Sequence, residues 1–127
     1  MMAYSTIPEG RSGDWSVERF EMTKDQELMS RLRDGPRYCP AGTYTMLRRC
    51  GRLIMSDTPA EIGDLRRFKH AATGSVLING LGLGIAASMA LGQSEVADVT
   101  VIEKSPDVIA LVAQHSAIFR DGGSTPN

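Results

Sequence analysis

The feature that most constrains this chain is a run of alternating glycines, Gly80-Leu81-Gly82-Leu83-Gly84, set directly after the apolar segment Ser75-Val76-Leu77-Ile78-Asn79. A short apolar run of that kind reads as a parallel strand covered on both faces. Residues 85–91 are rich in Ala and Met and compatible with a helix. Val99-Thr100-Val101-Ile102 then reads as a second strand ending on Glu103. Ser105-Pro106-Asp107 is a cap followed by a proline, and it opens a second helix carrying Val108, Ile109, Leu111 and Val112. Together these segments make a βαβα half-unit.

Such a unit suits a ligand with an adenosine moiety, which lies against the C-terminal ends of parallel strands and tolerates no side chain in the first turn. Glycine leaves that space and adopts the left-handed dihedrals the turn needs. Glu103 follows Gly84 by 19 residues, about the separation at which an acid ending the second strand meets ribose hydroxyls. The candidate cofactor-binding residues are therefore Gly80, Gly82, Gly84 and Glu103, with Asn79 and Leu81 beside them. The bland alternative is a tight turn with no ligand and a solvated Glu103. Gly82-x-Gly84-x-x-Ala87 also satisfies the dinucleotide fingerprint. An NAD-binding fragment therefore stays open, although dinucleotide domains usually begin nearer the chain start.

Upstream, the first 14 residues lack a period and read as a loose arm. The alternation of Trp15 and Val17 with Ser16 and Glu18 predicts a short strand to Met22. Thr23 can cap a helix running to about Arg33, with Leu28, Met29 and Leu32 on one face and Gly35-Pro36 ending it. Residues 43–55 read as a hairpin turning at Cys50-Gly51. Thr58-Pro59-Ala60-Glu61 predicts a capping box and a helix to about His70, with Ile62, Leu65 and Phe68 inward. Arg66, Arg67 and Lys69 would then favour its C-terminal dipole, or offer a patch to a phosphate-bearing substrate. Residues 120–127 are turn-like and read as frayed.

Composition excludes some functions. Lys plus Arg total 14 against 15 Asp plus Glu, so charge points to no nucleic acid and no anionic membrane. The apolar stretch over residues 76–91 falls short of the roughly 20 residues a spanning helix requires, and Asn79 and three glycines interrupt it. Cys39 and Cys50 form no Cys-x-x-Cys pair, and neither His70 nor His115 stands at metal-ligand spacing from them, so both read as reduced thiols and no metal is expected. Acidic residues and the lack of an apolar run in the first 30 residues argue against a signal peptide, which leaves a cytoplasmic location as the expectation.

Residues 76–84 and 101–108 resemble the class I S-adenosylmethionine-dependent methyltransferases, and within them the spermidine-synthase-like branch. In that branch, too, a hairpin and a helix precede the first strand of the nucleotide unit. Residues 55–61 followed by 77–82 also resemble short methyltransferase-like proteins encoded by phages. The resemblance covers residues 43–115 and implies S-adenosylmethionine as cofactor. It implies that Gly80, Gly82 and Gly84 form the loop beneath the cofactor's methionine and ribose portion, and that Glu103 holds the ribose hydroxyls. Ile78, where many methyltransferases place an acid, is more like the spermidine-synthase branch. Leu83 replaces that branch's usual acid in the loop, and Ser105 replaces a common Asp, so a methyl donor fits better than a polyamine substrate.

The resemblance also implies a seven-stranded sheet, whereas 43 residues follow Gly84. The expectation is thus an α/β protein. Residues 1–74 form an N-terminal α+β section with a hairpin and capped helix. Residues 75–127 form an incomplete Rossmann-like half-sheet, either truncated or completed by a partner chain or second copy. The implied activity is methyl transfer to an unidentified acceptor, with Tyr44, Asp57 and Glu61 as candidates near the cofactor-side mouth and no residue assignable as general base. The rivals are a non-catalytic binding or assembly module derived from this fold, and the NAD-binding fragment.

Overall fold

The computed structural model describes residues 5–116. They form a mixed α/β chain with two sheets. The first sheet is antiparallel, in the order β1 (Gly10–Ser12), β2 (Trp15–Met22), β3 (Gly42–Arg49) and β4 (Arg52–Ser56). The second is a parallel pair, β5 (Gly74–Asn79) and β6 (Val96–Ile102), joined by helix α4 (Ile85–Leu91). The remaining helices are α1 (Lys24–Asp34), α2 (Pro59–Asp64), α3 (Arg66–Ala71) and α5 (Pro106–Val112). The frayed end expected at residues 120–127 lies outside the described residues.

The expected loose arm is instead built into the sheet. Three of its residues pair with β2, Gly10 opposite Val17 and Ser12 opposite Trp15. Ser5 and Ile7 are buried. The Ser5 amide donates to Asp57 Oδ2 at 2.7 Å, and the other carboxylate oxygen takes the Thr45 amide at 2.8 Å. Asp57 is itself buried, so two backbone donors replace the water it gives up. These partners are remote in sequence, which is why no local pattern announced them.

Helix α1 starts as expected. Thr23 accepts from the Gln26 amide while Gln26 reaches back to the Thr23 amide, a complete capping box. The face bearing Leu28, Met29 and Leu32 points to solvent, Leu32 being 77% exposed. The opposite, polar face is the one held. Ser30 is buried and its hydroxyl takes the Cys39 amide at 2.9 Å, while Glu27 takes the Ala41 amide at 2.7 Å. Hydrogen bonds to the following loop outweigh the apolar stripe in orienting this helix.

The helix expected from Pro59 to about His70 is broken. Leu65 separates α2 from α3, its amide bonding back three residues to Ile62 O at 3.1 Å. Gly63, a poor helix former, stands just before the break. As a result Arg66 and Arg67 sit in the first turn of α3, and only Lys69 and His70 lie at its C-terminal end. The Thr58 side chain makes no capping bond. Glu61 accepts from the Ser56 hydroxyl, and Ser56 in turn lies 3.0 Å from the Thr58 hydroxyl, so the expected box is replaced by a Ser56-centred cluster.

One apolar cluster joins the two sheets. It contains Ile7, Val17 and Leu47 from the antiparallel part and Leu81, Leu83, Ile85, Val101, Val108 and Val112 from the rest. Helix α5 is fastened to the first sheet, for the Ser12 hydroxyl donates to Asp107 Oδ1 at 2.7 Å. Among the described residues the parallel pair is covered on one face only, whereas the sequence pattern suggested cover on both. Ile78 and Val99 pack against the core, whereas Leu77 is 62% and Ile102 47% exposed on the other face.

Candidate functional site

The βαβα segment brings the candidate residues together at the C-terminal end of the parallel pair. Asn79 pairs in register with Ile102, so the loop and Glu103 leave the two strands side by side. All three loop glycines have positive φ, +96° at Gly80, +52° at Gly82 and +79° at Gly84. Those are conformations that L residues with a side chain rarely adopt. The two leucines between them face inward, Leu81 5% and Leu83 3% exposed. The alternation thus has a mechanical reading: the leucines anchor the turn in the core, while Gly80 is exposed, Gly82 half-buried and Gly84 buried.

Glu103 closes the loop. Its Oε1 accepts the Leu81 amide at 2.8 Å and its Oε2 accepts the Ser105 amide at 3.0 Å. Each carboxylate oxygen can take two donors, so one acceptor site per oxygen is left for an incoming hydroxyl. Ser105 caps α5 by accepting the Val108 amide at 3.3 Å, followed by Pro106 as the sequence indicated. The Gly80 and Gly84 amides bond to backbone oxygens, to Ile102 O at 2.7 Å and to Leu81 O at 2.9 Å.

The three glycines differ in the space before them. A Cβ on Gly80 would meet nothing within 4 Å. One on Gly84 would make ordinary contacts with Ser116 and Val112. One on Gly82 would collide with the sulfur of Met55, which also accepts the Leu83 amide at 3.2 Å. Met55 is the neighbour of the loop that sequence reasoning missed. It falls within the segment carrying the phage resemblance, but only the sheet fold brings β4 to the loop.

The other candidates are engaged elsewhere. Asn79 is exposed at the strand end, and Leu81 offers only its backbone. Tyr44 is buried, with its hydroxyl donating to Pro40 O at 2.8 Å, and burial, then the neighbouring Cys39, pushes the phenol up to about 12. Asp57 holds Ser5 and Thr45, and Glu61 holds Ser56. None of these three is free to act on a reactant. A cavity of about 110 Å³ lies beside Gly84, lined by residues including Ile7, Leu83, Ser88 and Ser116. It is too small for a cofactor-sized ligand, whose pockets run to roughly 300–1,000 Å³. Gly80 is exposed and open on its outer side, and Glu103 beside it is half-buried.

Among the described residues no group of three or more His, Cys, Asp or Glu could hold a metal ion, and both cysteines are free thiols. No helix among them is long and apolar enough to cross a membrane. No protein-family model, curated protein or solved structure matches the chain.

Proposed function

We propose that this chain is an S-adenosylmethionine-binding, methyltransferase-like protein built on an incomplete Rossmann-like half-sheet and working in the cytoplasm. The observation that carries this reading is the Glu103 carboxylate bonded at 2.8 Å to an amide of a loop whose three glycines all have positive φ. That arrangement sets an acid next to a side-chain-free backbone at the end of two parallel strands, the geometry a ribose diol needs. The residues fit the cofactor at Gly80, where the approach is open, and at Glu103, whose remaining acceptor sites suit two hydroxyls.

When bound, the cofactor supplies an electrophilic methyl group on a sulfonium. A nucleophile takes that methyl as the carbon–sulfur bond breaks, leaving the thioether. The contribution of this chain is binding and alignment, through Glu103 at the ribose and the loop backbone beneath it. No described side chain is assigned as a general base or to an acceptor site. Calorimetric titration with S-adenosylhomocysteine and with NAD tests the assignment. Tighter binding of the former is expected, and equal or tighter binding of NAD overturns it.

A second reading, an assembly module without catalysis, is favoured by the open face bearing Leu77 and Ile102, because parallel sheets are almost always covered on both faces. Sedimentation separates the two. A monomer that binds S-adenosylhomocysteine supports the enzyme-derived reading, and an obligate oligomer that does not bind it supports the module.

A further inference from the structure

The glycine loop carries a stopper supplied by the chain itself. Met55 stands on β4 opposite Leu47, half-buried at the margin of the core, and reaches across to the loop. Its sulfur fills the volume before Gly82 and accepts the Leu83 amide. A thioether is a weak acceptor. The amides of Gly80, Leu81 and Gly84 all have oxygen partners at 2.7 to 2.9 Å. The Leu83 amide, held by a thioether, therefore gains by exchanging its partner for an oxygen of a ligand. Methionine is also the side chain best suited to leave, being unbranched and able to repack at low cost.

We propose that Met55 is a displaceable gate on the glycine loop. In the free protein it covers Gly82 and the Leu83 amide, and it yields both to a ligand that brings a carboxylate or hydroxyl oxygen to that amide. The inference rests on the cofactor reading given above and adds to it a regulated entrance. Its consequence is an affinity held below what the bare loop offers, since part of the binding free energy is spent in moving Met55 aside.

The test uses S-adenosylhomocysteine with the parent protein, Met55→Ala and Met55→Leu. Titration calorimetry is combined with methyl resonances of methionine-labelled parent, and Met55 is assigned by the signal lost in the Ala variant. The gate predicts that Met55→Ala binds about fivefold tighter or more, that Met55→Leu binds no tighter than the parent, and that the Met55 methyl shifts when ligand is added to the parent. Ligand binding with an unmoved Met55 methyl and no gain in Met55→Ala overturns the gate and leaves the cofactor reading standing. Absence of binding to parent and variants alike overturns both. Should Met55→Ala fail to fold, the methyl resonance is assigned from Met55→Leu and its response in the parent decides.

Discussion

The Leu81 amide donates to the Glu103 carboxylate at 2.8 Å, a bond between residues 22 apart that ties the glycine loop to the end of β6. With the second oxygen on the Ser105 amide, both oxygens face backbone donors. Glu103→Gln turns one of them into an NH2 group facing an N–H. Unfolding stability without ligand should fall by about 1–3 kcal/mol, the cost of an unsatisfied buried donor. Urea denaturation measures it, and a variant as stable as the parent would show that the carboxylate does not hold the loop.

Gly82 carries two constraints, a φ of +52° and the Met55 sulfur in front of it. Gly82→Ala should lose about 1–2 kcal/mol for the left-handed backbone alone, with a further loss for pushing Met55 aside. Adding Met55→Ala should recover the second loss and leave the first, so the double variant should be more stable than the sum of the single effects requires. Strict additivity in chemical denaturation would place Met55 away from the loop.

The two threonine caps should respond in opposite ways. Thr23 makes both bonds of its box, and Thr23→Ala should cost about 1 kcal/mol. Thr58 makes no capping bond to the helix, so Thr58→Ala should stay within about 0.5 kcal/mol of the parent. Thermal melts of the pair decide, and a loss at Thr58 as large as that at Thr23 would show that the Thr58 side chain supports α2 as strongly as a cap.

Tyr44 sets a limit at high pH. Its phenol is raised from 10.0 to about 12, chiefly by burial, so the folded state keeps a proton that the unfolded state releases first. The stabilisation is complete below pH 10 and is lost as the pH climbs toward 12. A stability profile over that range should fall more steeply for the parent than for Tyr44→Phe. Ultraviolet titration should find one of the three tyrosines ionising late.

What could be read in the sequence is what local chemistry decides. The Thr23 cap, the Cys50-Gly51 turn and the Ser105-Pro106 start each depend on neighbours a few residues apart, and all three form. The alternating glycines likewise marked a turn with left-handed residues, because no other residue type adopts three positive φ values so readily. What escaped depends on distant partners. Ser5 finds Asp57 across 52 residues, and Leu83 finds Met55 across 28. The exposure of the apolar stripe of α1 has the same origin: Ser30 and Glu27 satisfy amides of residues 39–41. Glu103 was legible as an acid at a strand end, whereas its bond to the loop required the parallel register of β5 and β6.

The Ser12–Asp107 bond has a consequence for how the molecule comes apart. It seats α5 against β1, in a cluster where Val17 and Leu47 share their core with Val108 and Val112. Helix α5 of the βαβα segment thus rests on the first described strands, and the antiparallel sheet serves as its floor. Cutting the chain before β5 would free the glycine loop and Glu103 from that floor while keeping every residue of the motif. The motif is contiguous in sequence but its support is not, so residues 5–116 should fold and melt as one unit.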